Sequence, residues 1–472
     1  MMNTKEGAKA YEHSLGHDVE FFSKAGSMFT KKGSFYEGEE SALSLFQKTW
    51  IVDAEIAMKL LLWLRDIRGG AGNRSGAREC YHWLANHYPE WLAANISWLP
   101  MVGRWDDLKS LFGTDAEKYA VELWSDALLH GDVLAAKWAD RKDKPLKHAL
   151  KMNEANFRRF LAAWRKDSII EHKMCTGRWN EVNYEKAPSL AMARYTKAFG
   201  EHDRERFEKY KEALVKGEVK VHASTLFPHD CVRTSKYGDT GIADAQFDAL
   251  PNYMEGTNEK IMVISDTSRS MDNTVAGSIR AVDISQGLAL YCSARMPKDG
   301  PFYKKFIAFC SESELKDWEG MTFSQAVRNR DMFDQAVGTT RIHTALNLIL
   351  KIAKTFKLPE ELMPTTLMIV SDMQFHPDPK QSERYQNYGV RSSGSEVEEC
   401  LARYEEAGYK KPKVIYWNTG GYAGSSATIK SPSTALISGF SPSTLTAVLA
   451  GDDFTPRGVM LRALEKYNVT IP

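Results

Sequence analysis

The stretch Lys260–Met271, Lys-Ile-Met-Val-Ile-Ser-Asp-Thr-Ser-Arg-Ser-Met, constrains this chain more than any other. Four of the five residues from Ile261 to Ser265 are apolar, which suits a strand buried on both faces of a parallel sheet. The run stops at Asp266. Asp266-x-Ser268-x-Ser270 then sets one acid and two hydroxyls at alternate positions on the loop leaving the strand's carboxyl end. Ligands of open parallel sheets bind at that edge, and a carboxylate with neutral oxygens suits a hard divalent cation. A magnesium site is one reading. A polar turn capping the next helix is the other.

Two later stretches bear on that choice. Gly338-Thr339-Thr340-Arg341-Ile342 precedes an apolar helical run, Ala345 to Phe356, so a threonine hydroxyl lies on a loop that opens a helix. Thr366 to Val370 is a second buried-strand pattern ending in Ser371-Asp372, again an acid at a strand's carboxyl end. Three loops of one sheet then converge. Together these residues resemble the von Willebrand factor A domain, whose metal-ion-dependent adhesion site (MIDAS) uses Asp-x-Ser-x-Ser, a threonine and a later aspartate. Carried over residue by residue, the resemblance implies that Asp266, Ser268, Ser270, Thr340 and Asp372 hold Mg2+ or another divalent cation, with Thr339 standing in for Thr340 if needed.

The resemblance spans about residues 258–472 and implies an α/β doubly wound, Rossmann-like domain. Within it we expect a helix over Ile279 to Cys292, an edge strand of mixed polarity over Phe302 to Cys310, last strands at Lys413 to Trp417 and Leu436 to Ser438, and a helix over Ser441 to Ala450. Alternation of strand and helix over such a length is the pattern of a sheet covered on both faces.

The first half reads differently. Residues 1–38 form an N-terminal arm with a short helix at most. From Glu39 onward, Glu39 to Trp50, Asp53 to Ile67, Gly76 to Asn86, Trp105 to Leu111, Asp115 to His130 and Leu146 to Trp164 carry apolar residues at three- and four-residue spacing, with no strand pattern between them. Consecutive helices on short loops predict an all-α, HEAT-like solenoid or partial ring over residues 39–257, although no repeat of fixed period is present. Val219 to Asn258 reads as a connector.

Three stretches of this half go beyond helix packing. Arg65-Asp66-Ile67-Arg68-Gly69-Gly70-Ala71-Gly72-Asn73-Arg74 runs a helix end into a glycine loop flanked by arginines, whose forks suit phosphate oxygens. A helix stop with solvated arginines is the plainer account of it. In Gly103-Arg104-Trp105-Asp106-Asp107-Leu108 the acids favour a helix's first turn, which leaves Arg104 open. Lys137 to Lys220 holds 21 Lys and Arg against 13 Asp and Glu, in a chain of net charge +1. That excess, including Arg141, Lys142, Lys144, Arg158, Arg159, Arg165, Lys166 and Arg178, is the electrostatic footprint expected for a phosphate backbone. Trp164 and Trp179 lie close by as candidate stacking platforms or as core.

The first two stretches, placed ahead of an A-type domain, resemble the Ro autoantigen group, the TROVE-type ring of HEAT-like helices joined to a von Willebrand A domain. The resemblance implies binding of small structured non-coding, misfolded or single-stranded RNA in a ribonucleoprotein, with Arg65, Arg68, Arg74 and Arg104 as candidate contacts beside the basic segment. The helical half is shorter than the family's ring, which favours outer-surface binding over a threading hole. On the same resemblance the metal leaves a position for a carboxylate from an acidic protein partner. The competing reading is an adaptor without nucleic acid, using both halves as protein-binding surfaces.

Other classes fare worse. No Walker lysine and no Ser-His-Asp spacing accompany the hydroxyl-rich site, so we expect no enzyme activity. His222, His229, His343 and His376 lack ligand spacing and read as structural, with His376 near the metal edge. Six scattered cysteines without a Cys-x-x-Cys pair read as reduced thiols, and the polar N-terminus and short apolar runs fit neither a signal peptide nor a membrane span. The expectation is a cytoplasmic protein.

Overall fold

The structure is a computed structural model that describes residues 2–3, 9–12, 14, 16–28, 40–221, 223, 226–276, 278–333, 339–377, 396–420, 425–429, 431–450 and 453–472. Residues 1, 4–8, 13, 15 and 29–38 of the arm, His222 and Gly338 lie outside the described residues. Helices run from residue 42 to residue 248, and a mixed α/β sheet domain follows.

Local sequence explains the first helices. Ser41 caps Ala42–Val52 in a reciprocal capping box with Ser44, and Asp53 accepts from the Ile56 amide to start Ala54–Arg65. The second of these is buried over most of its circumference, from Ala57 through Arg65. It is therefore an interior helix, in contact with helices Ala42–Val52 and Arg74–His87 and with the sheet domain's last helix, Pro456–Leu464.

Three expectations need correction. The run Leu146 to Trp164 is two helices, Lys144–Ala149 and Glu154–Arg165. Lys151 takes a left-handed φ of 51° between them, and Asn153 caps the second by accepting from the Asn156 amide at 2.8 Å. Trp105–Leu111 is a 3-10 helix. The expected connector contains two helices, Pro228–Tyr237 and Thr240–Asp248, started by Pro228 in the first turn and by the Asp239 cap.

The sheet has six strands: β1 (Ile261–Asp266), β2 (Lys305–Phe309), β3 (Ser313–Asp317), β4 (Thr366–Ser371), β5 (Lys413–Asn418) and β6 (Thr434–Ser438). Their order is β6-β5-β4-β1-β2-β3, parallel except for β3. A further correction concerns the edge. Lys305–Phe309 lies inside the sheet, and the edge is Ser313–Asp317, whose polar side chains carry no buried-strand signal.

The two halves share one hydrophobic core, which reaches without interruption from Val19 to Tyr467. Helix Pro228–Tyr237 lies on helix Ala281–Ala294 so closely that a Cβ on Gly287 would sit 2.8 Å from the His229 nitrogen. The described part of the arm is embedded as well. Helix His17–Lys24 packs on β6, and Ser27 donates to the Asn418 carbonyl at 2.6 Å at the end of β5. At the other terminus, Thr470 exchanges two 2.8 Å hydrogen bonds with the Asn95 side chain. A smaller, separate core, including Tyr184, Phe199, Phe207 and Ile242, gathers helices Ser189–His202, Arg204–Val215 and Thr240–Asp248.

Among the described residues no helix is long and apolar enough to cross a membrane. Five cysteines are free and buried, and Cys175 is free and exposed.

Candidate functional site

The strand order changes direction between β1 and β4. The chain leaves β1 toward β2 on one side, while β4, β5 and β6 extend on the other. Ligands of doubly wound sheets bind at the carboxyl ends of the strands at such a switch. Ser265 pairs with Val370 across the two strands, so Asp266 and the Ser371-Asp372 turn come out side by side.

The rim is held by short-range bonds. Asp266 Oδ1 accepts from the Ser268 amide at 2.9 Å, and Oδ2 accepts from the Ser371 hydroxyl at 2.6 Å. The Ser268 and Ser270 hydroxyls lie 3.0 Å apart. Thr267 ties this loop to β2 through its amide and hydroxyl, both donating to the Phe309 carbonyl. After β4, Asp372 Oδ1 accepts from the Gln374 amide at 3.1 Å, and Met373 turns the chain with a left-handed φ of 64°. The threonine loop is strapped to this turn. The Thr340 amide donates to His376 Nδ1 at 2.8 Å, and the His376 amide returns a bond to the Thr340 carbonyl at 2.8 Å. Thr339 instead donates its amide to Ser311.

The rim thus gathers Asp266, Ser268, Ser270 and the Asp372 and Thr340 loops at one edge. Asp266, Ser268, Thr340 and Asp372 are buried. Burial first, and then the charge of Asp372, raises the Asp266 pKa well above the ordinary aspartate range, against the opposing hydrogen bonds from Ser371 and Ser268. Two mutually repelling, buried carboxylates ringed by hydroxyls are an all-oxygen donor set that fits a hard divalent cation. The set holds only two acids, and among the described residues no three His, Cys, Asp or Glu side chains gather as a metal site. Ser371 and His376 complete the rim. Sequence spacing gave no role to Ser371, because it reads as the strand's last residue.

The basic residues sort into two groups. Arg65 is a correction: its side chain is 1% exposed and pairs with Asp107 at 2.8 Å, so it is an interior cation and presents nothing to a ligand. Arg78 bridges the same Asp107 and its neighbour Asp106. Arg165 and Arg178 are also committed. Arg165 donates to the Ala136 and Ala139 carbonyls, and Arg178 pairs with Asp167 at 3.3 Å and Glu181 at 2.9 Å.

The second group faces outward. Arg68, Arg74, Arg141, Lys142, Lys144, Arg158, Arg159 and Lys166 are exposed. Arg141 reaches Glu154 only at 3.9 Å, and Arg159 donates to Asn156. Arg104 is half-buried with its guanidinium 4.8 Å from the Trp138 ring centroid. Trp138 was not singled out in the sequence, and it lies between Arg104, over its ring, and Arg165 of the basic segment, which donates to the Ala136 and Ala139 carbonyls on either side of it. Trp164 is 38% exposed, whereas Trp179 stacks on His202 at 4.4 Å.

Two family matches overlap on the first strand of the sheet. The domain of unknown function DUF2828 matches residues 4–112 and 127–276, and a second domain of unknown function, DUF7788, matches residues 260–466. An uncharacterized protein of Acanthamoeba polyphaga mimivirus is 25% identical, over 98% of this chain and 87% of its own length. The crystal structure of the Ro (RSR) protein of Deinococcus radiodurans aligns with a TM-score of 0.46 at 14% identity, over 96% of this chain and 99% of that one.

Proposed function

This chain belongs to the DUF2828 family, and from that premise we propose that it is a cytoplasmic, Ro-like RNA-binding scaffold whose second domain is a metal-dependent docking face of the von Willebrand A type. The observation that carries the RNA reading is the outward face of helices Lys144–Ala149 and Glu154–Arg165. Lys142, Lys144, Arg158 and Lys166 are exposed there with no carboxylate in salt-bridge reach among the described residues. Unneutralised cations along adjacent helices provide the sequence-independent attraction that a phosphate backbone answers. A structured non-coding RNA, a misfolded RNA or a single strand all offer that backbone. The HEAT-like or ring character of the helical half belongs to this proposal.

In the same reading Asp266 and Asp372 would supply charge to Mg2+, and Ser268, Ser270 and Thr340 would supply neutral oxygens. The bound ion would provide a Lewis-acidic seat for a carboxylate from an acidic protein partner. The role is binding and no reaction is assigned. The experiment is a salt titration of a labelled structured RNA against the full-length protein: affinity falls steeply with salt if the face grips phosphates. Wild-type protein that binds no RNA at low salt defeats the reading.

One observation favours the adaptor reading instead. Ile51 and Val52 are 85% and 72% exposed beside Trp50, which packs on Tyr88 and Trp91. An apolar lip on an aromatic cluster suits a protein partner better than an RNA.

A further inference from the structure

Arg104 occupies an unusual position for a half-buried cation. Its backbone amide donates to Asp107 at 2.8 Å, yet its guanidinium has no salt bridge among the described residues. Both acids that follow it in sequence are already engaged. Asp106 pairs with Arg78 at 2.9 Å, and Asp107 pairs with Arg65 at 2.8 Å and with Arg78 at 2.7 Å. The contact it does make is with the face of Trp138.

A second cation stands one turn before Arg78 on helix Arg74–His87, on the side of that helix that reaches Asp106 and Asp107, the residues just after Arg104. Arg74, the exposed first residue of helix Arg74–His87, also lacks a carboxylate partner among the described residues. Burial and then repulsion from Arg74 and Arg65 depress the Arg104 pKa, with Asp106 and Asp107 opposing only in part. Arg68, on the glycine loop, leans toward the same segment by donating to the Met101 carbonyl at 3.3 Å. A partly desolvated cation beside a second cation costs free energy that an arriving anion offsets. Two guanidinium forks match tetrahedral phosphate oxygens, which a single point charge does not.

We propose that Arg74 and Arg104 form a phosphate clamp beside Trp138, gripping one phosphate of the RNA backbone where the glycine loop meets the basic helices. The proposal rests on the RNA reading above for the source of the phosphate. The clamp's chemistry also admits free inorganic phosphate.

Full-length wild type, Arg74→Gln, Arg104→Gln and Arg104→Lys are melted in inorganic phosphate and in chloride at matched ionic strength, then titrated with a labelled single-stranded RNA. The double variant Lys351→Gln/Lys354→Gln, on exposed positions of helix Ile342–Phe356 in the sheet domain, serves as a control outside the basic face. In chloride, Arg74→Gln melts higher than wild type because the repulsion is relieved. Phosphate raises the Tm of wild type and of the control, leaves both glutamine variants unmoved, and acts partially on Arg104→Lys, which keeps charge without the fork. In RNA binding, each glutamine variant lowers the slope of log affinity against log salt by about one.

A wild-type Tm that is the same in phosphate and chloride, with unchanged RNA affinity in both glutamine variants, overturns the clamp. A phosphate-dependent Tm lost in the variants with RNA affinity intact overturns RNA as its ligand. Wild-type protein that binds no RNA but keeps the phosphate response refutes the RNA reading and supports the clamp for free phosphate.

Discussion

Ser371 donates its hydroxyl to Asp266 Oδ2 at 2.6 Å, tying the end of one central strand to the end of its neighbour. This bond orients the carboxylate and leaves its charge facing that of Asp372, which is the electrostatic situation a cation relieves.

Replacing Asp266 with asparagine removes the repulsion while keeping an oxygen for the Ser268 amide. In chelator, Asp266→Asn is expected to be at least as stable as wild type, by up to about 1 kcal/mol. Added Mg2+ raises the Tm of wild type and not of the variant. Thermal melts with and without Mg2+ check both halves, and a variant that keeps the full Mg2+ response removes Asp266 from the site.

Charge reversal on the outer helices tests the RNA face. Arg158→Glu with Arg159→Glu is expected to weaken RNA binding at low salt by well over tenfold. The salt slope drops by about two relative to wild type. Filter binding across a salt series reads this, and circular dichroism confirms that the exposed substitutions leave the helices intact.

Arg65 predicts the opposite pattern. Arg65→Met leaves Asp107 buried with one cation fewer and is expected to cost about 3–5 kcal/mol of stability. RNA affinity at a temperature where the variant is folded stays unchanged. Urea unfolding gives the first quantity, and a loss of RNA binding in folded protein contradicts the interior assignment.

A pH dependence follows from Asp66. Its buried carboxylate accepts from the Tyr467 hydroxyl at 2.8 Å and pairs with Lys466 at 3.2 Å, across the two halves. Burial alone raises its pKa, but Lys466, the Gly69 and Arg68 amides and Tyr467 outweigh that and bring it below the ordinary 3.8. A folded pKa below the unfolded one means the stabilisation is present at neutral pH and is lost as pH falls through the folded value. Stability measured from pH 7 down to about 3 therefore declines more steeply at the acid end for wild type than for Asp66→Asn.

The legible parts of this fold were those where local pattern and tertiary setting agree. Ile261–Asp266 and Thr366–Ser371 are buried on both faces, so their apolar runs announced central strands and located the rim residues after them. Ser313–Asp317 pairs on one side only and has a polar sequence, so nothing local marked it. Arg65 read as a surface fork because its counter-ion stands 42 residues away on another element. The strap between Thr340 and His376 joins the Thr340 backbone to the His376 ring and amide across 36 residues, a pairing that spacing along the chain does not reveal.

Both ends of this polypeptide are buckled into the opposite half: helix His17–Lys24 lies on the final strand, and Thr470 clasps Asn95. Cutting the chain near residue 258 would strip the sheet of its leading helix and release the clasp on the early helices. Neither fragment is then a faithful stand-in for its share of the molecule, and dissection is better done by point substitution in the intact chain than by truncation.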